Sequence, residues 1–197
     1  SPITFTNFAN SNTGAYLPIT SNEDLKKVVD NKLLEYNETF AMMDLVLFQQ
    51  AAEHICRIAR IVANPGGNAM LIGVGGSGKQ SLSRLAAFVS SYSLKQITIT
   101  ASYTINDFKT DLQTMYKRSG LKDEGIMFLF TDSQITNERF LVYMNDLLSR
   151  GDIPDLFSLE DTDDIVSTIS PKVKASGLAP DRGNCWEFFI NNVKKIL

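Results

Sequence analysis

Cysteine is nearly missing from this chain. Cys56 and Cys185 are the only two in 197 residues. They are too few for a disulfide framework, and Cys56 falls in a helical apolar pattern, so both are expected to be reduced core thiols in a cytosolic setting. Histidine is scarcer: His54 stands alone, without a Cys or Asp at ligand spacing, and reads as a helix-face residue. No apolar run approaches the roughly 18 residues of a membrane span, so no membrane partner is expected. No signal-type segment leads the chain, although a chain that begins at Ser1 need not begin at the native N-terminus. An excess of positive charge is also absent. The 19 Lys and Arg against 22 Asp and Glu leave a net charge of −3, and basic residues are scattered in short pairs such as Lys26-Lys27 and Lys194-Lys195. Nucleic acid is not an expected partner. The acidic stretch Asp152, Asp155, Glu160, Asp161, Asp163 and Asp164 lacks the spacing and glycine of a calcium loop and reads as a solvated loop and helix start. Repeats and low-complexity tracts are absent.

What remains is an ordinary globular composition, 44% hydrophobic and 21% charged, of a size that buries one good core. One domain spanning 1–197 is expected, with 1–38 as a peripheral segment and 39–197 as the core. Within it, Ala69-Met-Leu-Ile-Gly73-Val74-Gly75-Gly76-Ser77-Gly78-Lys79-Gln80-Ser81 reads as an apolar strand, a glycine-rich turn and a lysine that opens a helix. That order is a phosphate cradle. Glycines at 73, 75, 76 and 78 can take backbone conformations closed to other residues, so amide N–H groups converge on one anion. The helix start adds its positive dipole end, and Lys79 a full charge that reaches the β and γ phosphates. The P-loop pattern fails at one letter, because Gln80 occupies the place of the hydroxyl residue that coordinates Mg²⁺. Gln80 is a bulkier and poorer ligand for a small octahedral ion, and Ser81, one place on, would approach from a direction about 100° away.

Around the cradle the sequence alternates strands and helices. Residues 1–20 read as an irregular wrapping segment. Ser21 with Asp24 caps a helix to about Tyr36, and a longer helix from about Thr39 to Ala63 carries Leu47, Ala51, Ile55, Ile58 and Val62 on one stripe, closed by Asn64-Pro65-Gly66-Gly67. Strands are expected at 69–74, 96–100 and 126–131. Between the last two, Thr104 and Asp107 cap a helix that Ser119-Gly120 closes. A helix over about 138–149 ends at Gly151 as its C′ residue, Ile153 to Phe157 places apolar residues in a loop, and Trp186, Phe189, Ile190 and Val193 form a helical core stripe. The predicted class is α/β: a three-layer P-loop NTPase with a parallel sheet and helices on both faces.

In P-loop ATPases a neighbouring apolar strand ends in an acid on the metal side, often followed by a Glu that activates water. Ile126 to Asp132 is the run that fits, in two registers. Either Thr131 is the metal-side position and Asp132 stands where the catalytic Glu would be, or Asp132 is the metal-side acid and Ser133 replaces the base. One carboxylate is missing in both. Losing a general base costs about 10² to 10⁴ in rate, whereas binding rests on backbone amides and Lys79. Binding is expected to outlast hydrolysis.

The strings Gly73 to Ala87, Phe130-Thr-Asp-Ser-Gln134 and Asn145 to Phe157 closely resemble the fourth AAA+ module of dynein heavy chains, the axonemal ones in particular. The resemblance extends from about Tyr16 to Leu197, through His54-Ile-Cys-Arg-Ile58 and Asn184-Cys-Trp-Glu-Phe-Phe189. It implies an AAA+ large subdomain in a ring of such modules that drives motion along microtubules, with ATP or ADP and Mg²⁺ as cofactors. By matching positions, Gly73, Val74, Gly75, Gly76, Ser77, Gly78, Lys79 and Gln80 would contact phosphates, with Ser81 beside them. Asp132 would lie at the γ-phosphate side, as a candidate catalytic base, and Gln80, Ser81, Thr131 and Asp132 form the candidate Mg²⁺ set. Cytoplasmic relatives carry Asp-Glu at Thr131-Asp132, which favours the first register and implies weak turnover. Implied partners are the neighbouring AAA+ modules of the same heavy chain, the microtubule through a downstream stalk, and dynein intermediate and light chains. The implied location is cytoskeletal, in the axoneme of a cilium or flagellum. The sensor-1 strand and helical lid of the family are expected beyond Leu197, which makes the sheet within 1–197 a truncated one.

Overall fold

The computed structural model describes residues 4–9, 15–43, 45, 49–74 and 78–197. The chain divides into two compact units, 1–94 and 95–197.

In the first unit the polar N-terminal segment is not wholly irregular. β1 (Thr4–Thr6) pairs antiparallel with β2 (Leu17–Ile19), with Phe5 opposite Pro18. Both strands are too short to show alternation in the sequence. α1 (Asn22–Thr39) starts where its cap predicts: the Ser21 hydroxyl accepts the Asp24 N–H at 3.0 Å and donates to its carboxylate at 2.7 Å. It runs three residues past Tyr36 and stops at Phe40. The rings of Tyr36, Phe40 and Phe88 cluster at this end, with Tyr36 5.0 Å from Phe40 and 5.5 Å from Phe88. Among the described residues α2 spans Gln49–Ala63, and residues 40–43, where the pattern already suggests helix, are not helical. The Asn37 side chain brackets Met43, accepting its N–H at 2.8 Å, which takes that segment out of a helical ladder. Leu47, assigned to the core stripe, lies outside the described residues. Of the rest of the stripe, Ala51, Ile55 and Ile58 are buried while Val62 is only half-buried, and Cys56 is buried beside them. Burial pushes the Cys56 thiol up to about 11, so at neutral pH it is the protonated core thiol expected.

The turn at Asn64–Gly67 needs its last glycine, because a Cβ there would stand 1.8 Å from the Ile61 carbonyl oxygen. Beyond it the structure overturns an expectation. Residues 69–74 form no strand, and Met70, Ile72 and Val74 are 88%, 84% and 80% exposed. Apolar content favours a strand only where a partner edge accepts its hydrogen bonds, and no described strand pairs with this segment. α3 (Lys79–Val89) opens at Lys79 as expected and buries Leu82, Leu85, Ala86 and Ala87.

The second unit contains most of the aromatic residues. β3 (Ser93–Lys95) pairs with β4 (Ile126–Phe128), and the Lys95 carbonyl accepts the Leu129 N–H at 2.9 Å. The strand expected over 96–100 is displaced to 93–95. Ile97 is buried, but its carbonyl is taken by the Gln134 side chain rather than by a neighbouring strand. The described residues thus contain two two-stranded sheets and not the broad parallel sheet that the strand–helix alternation suggests.

α4 (Ile105–Lys122) opens with the predicted Thr104–Asp107 capping box and buries Phe108, Leu112, Met115 and Tyr116. It does not close at Ser119-Gly120. The helix continues to Lys122 and ends at Asp123, which takes the left-handed conformation at φ +56°. Gly120 serves packing: a Cβ there would lie 2.2 Å from Phe189. α5 (Glu138–Ser149) is capped by Asn137 and ends as predicted, with Gly151 at φ +72°. The Gly151 carbonyl accepts the buried Tyr116 hydroxyl at 2.6 Å. Ile153 and Leu156 of the following loop are buried against the core, and the Leu156 carbonyl accepts the Gln113 amide at 2.6 Å. α6 (Leu159–Ala175) and α7 (Arg182–Ile196) complete the unit. α7 buries Cys185, Phe189, Ile190 and Val193.

Candidate functional site

The residues of the predicted cradle belong to the first unit. Gly73 and Val74 are exposed and lie outside regular structure, and Gly75, Gly76 and Ser77 are outside the described residues. Gly78 is the N-cap of α3 at φ +73°, ψ 10°. Among the described residues a Cβ at this position would meet only the Leu45 side chain, at 3.6 Å, and the φ of +73° is itself one that favours glycine. Lys79 is the first residue of α3. Its Nζ donates to the carbonyl oxygens of Gly73 at 2.6 Å and Val74 at 2.8 Å. No acidic residue occupies the first turn of α3, so nothing there opposes an anion. A left-handed glycine, a helix N-terminus and an ammonium group therefore converge. This donor set fits a phosphate. Gln80 is exposed and Ser81 half-buried, one and two residues into the helix.

Thr131 and Asp132 belong to the second unit. β4 leads through Phe130 into Thr131, and Asp132 to Gln134 form a single 3₁₀ turn. Asp132 is exposed, with one carboxylate oxygen accepting the Ser133 N–H at 3.0 Å. The Thr131 hydroxyl is tied within the turn, 3.0 Å from that of Ser133 and 3.2 Å from the Gln134 side-chain oxygen. The carboxylate of Asp132 and the hydroxyl of Thr131 are, each by itself, hard oxygen donors of the kind Mg²⁺ takes. Among the described residues no three His, Cys, Asp or Glu side chains gather as a metal cage.

Sequence reasoning passed over Gln134 as an individual residue. It is buried, and its amide spans two segments: its oxygen accepts the Thr131 N–H at 2.8 Å and its nitrogen donates to the Ile97 carbonyl at 2.5 Å. The Thr131-x-x-Gln134 spacing is that of a capping box and could have flagged the bond to Thr131, whereas the bond to Ile97 has no local signal.

Other polar groups have structural work. Asp161 accepts hydrogen bonds from Lys117 at 2.9 Å and from Ser158, the N-cap of α6, with Lys117 the larger cause of its lowered pKa. Asp163 pairs with Arg182, and Asp152 accepts from the Trp186 indole at 3.4 Å. Three members of the acidic stretch, Asp152, Asp161 and Asp163, are thus engaged within the fold. A hydroxyl-lined recess near Thr98, Thr100 and Tyr103 has its two carboxylates engaged: Asp107 caps α4, and Asp111 accepts from Tyr103 at 2.6 Å and pairs with Lys95 at 3.2 Å. Burial, followed by Asp111, raises the Tyr103 phenol above its ordinary range. Among the described residues no helix is long and apolar enough to cross a membrane.

Residues 43–197 match the family described as P-loop containing dynein motor region D4. The chain is 55% identical over 194 residues to the flagellar outer-arm dynein alpha chain of Chlamydomonas reinhardtii, which covers 98% of this chain and 4% of that protein. It is 47% identical over 198 residues to dynein axonemal heavy chain 9 of Homo sapiens, covering 100% of this chain and again 4% of the relative. The chain thus spans about one twenty-fifth of the length of these curated relatives. With the motif strings, the match over most of the chain and identities near one half in agreement, the chain belongs to the family of the P-loop containing dynein motor region D4.

Proposed function

We propose that this chain is the nucleotide-binding part of the fourth AAA+ module in the motor ring of a dynein heavy chain, holding ATP or ADP with Mg²⁺ in a regulatory or structural role and turning it over weakly or not at all. The observation that carries the reading is Lys79, which opens α3 behind a left-handed Gly78 with its ammonium at the mouth of the loop. Gly73 to Ser81 bind the phosphates. Thr131 and Asp132 supply the metal-side oxygens, with Gln80 and Ser81 at the helix start. Weak turnover follows from Gln80 and from the one carboxylate at Thr131-Asp132. The names of the relatives, flagellar outer arm and axonemal heavy chain, support a place in the axoneme of a cilium or flagellum, within the cytoskeleton. There the module works with its neighbours in the ring, with the microtubule through the stalk, and with intermediate and light chains.

Two other readings rest on particular observations. The exposed Asp132 carboxylate suits a catalytic base in an active ATPase. The hold of Lys79 on its own loop suits an architectural module with an empty cradle. Single-turnover hydrolysis in the full-length heavy chain, with the other P-loop lysines replaced, separates them. The expected result is nucleotide binding with turnover that Asp132→Asn changes by less than about tenfold. A fall of about 10² or more assigns Asp132 as base, and absence of binding favours the architectural reading.

A further inference from the structure

We infer that Gln134 is a positioning residue that sets the aim of Asp132 by latching the turn after β4 onto the neighbouring segment at Ile97. The inference rests on the proposed role of Thr131-Asp132 as the metal-side position. Three observations carry it, all within the second unit. Gln134 is one of few buried polar side chains among the described residues, and both ends of its amide are bonded: Oε1 accepts the Thr131 N–H at 2.8 Å, and Nε2 donates to the Ile97 carbonyl at 2.5 Å. The turn it grips also closes on itself, because the Gln134 N–H donates to the Thr131 carbonyl at 3.0 Å and the Ile135 N–H to the Asp132 carbonyl at 3.0 Å. Asp132 sits between these anchors and is exposed. The carboxylate, with one oxygen on the Ser133 N–H, is exposed to a ligand while its backbone is fixed from both sides.

The Ile97 carbonyl supplies the second fixed point. Ile97 is buried in the same core as Phe108, Met115 and Ile126, so the latch ties the turn to packed structure and not to a mobile loop. An apolar residue at 134 would leave the Ile97 carbonyl and the Thr131 N–H without these partners, and the turn would lose the link that holds its register. Groups that orient a metal ligand without touching the metal are typically worth about 10- to 100-fold in metal affinity.

The test uses the full-length heavy chain with the other P-loop lysines replaced, and titrates ADP with Mg²⁺ and with the metal chelated. Gln134→Met is expected to leave affinity without Mg²⁺ within about twofold and to reduce the enhancement by Mg²⁺ about tenfold. Gln134→Glu, which keeps the acceptor for Thr131 and loses the donor to Ile97, is expected to fall between. Asp132→Asn is expected to give the same phenotype, and adding Gln134→Met to it no further loss, as for residues acting through one group. An unchanged Mg²⁺ enhancement overturns the inference, as does an equal loss with and without metal or a loss of fold in both Gln134 variants, since each makes Gln134 merely structural. The underlying reading fails separately: Lys79→Ala without effect on ADP binding would overturn the cradle itself.

Discussion

Replacing Lys79 by alanine is expected to weaken ADP binding at this site about a hundredfold, read by calorimetry on the full-length heavy chain with its other P-loops disabled. The size follows from the contacts available. A hydrogen bond to a charged group is worth about 1.5–3 kcal/mol net, and the Lys79 ammonium can give more than one to a phosphate chain. Against this stands a cost particular to this loop: Lys79 must release the Gly73 and Val74 carbonyls, now 2.6 and 2.8 Å away. The balance is about 3 kcal/mol, or two powers of ten in Kd. Lys79→Arg is expected not to restore binding, because a planar fork cannot take the place of a compact ammonium in a cradle closed by Gly78. An unchanged Kd in Lys79→Ala would remove the phosphate assignment.

The largest expected loss of stability lies where α4 and α7 meet. Phe189 is fully buried and stands among the rings of Tyr116, Phe157 and Trp186, at 6.5, 6.1 and 5.3 Å. Truncating such a ring to alanine typically costs about 3–5 kcal/mol, part in lost transfer energy and part in the cavity left behind. Gly120 faces the same ring, and a Cβ there would lie 2.2 and 2.4 Å from two Phe189 carbons and 3.0 Å from Val193. Gly120→Ala sets two effects against each other. Alanine gains about 1 kcal/mol of helix propensity, whereas forcing a ring aside in a packed core costs about 1–3 kcal/mol. The clash is with both a rigid ring and a branched side chain, so destabilisation wins, by up to about 2 kcal/mol. The two substitutions are expected not to add. In Gly120→Ala/Phe189→Ala the new methyl enters space that the ring has left, and the double variant is less destabilised than the sum by about 1 kcal/mol or more, measured by urea unfolding. Additive losses would show that the ring does not define the space at Gly120.

How far the sequence reveals this fold depends on how local the cause is. Caps are local, and Ser21, Thr104 and Gly151 marked the ends of α1, α4 and α5 correctly. Amphipathic stripes are local too, and Ile55 with Ile58, Leu82 with Leu85, and Phe189 with Val193 all lie in cores. Strands are not local. The apolar runs at 69–74 and 96–100 have the composition of strands but not the hydrogen-bonded partners, and β1 and β2 pair across a gap in sequence that composition does not disclose. Gly120 carried a real signal with the wrong cause: a glycine in a helical pattern reads as a stop, and only the packing of Phe189 shows it as a point of close approach. The candidate site divides in the same way. Gly78 and Lys79 were legible because a P-loop is a local motif. Gln134 was not, because its importance lies in a contact with Ile97, 37 residues away.

A density map of the full-length heavy chain prepared with ADP and Mg²⁺ tests phosphate binding most directly. The expected result is continuous phosphate density at the start of α3, with Lys79 Nζ turned away from the Gly73 and Val74 carbonyls and onto it. Lys79 still bonded to those two carbonyls, with no density beside Gly78 at saturating ADP, would contradict it.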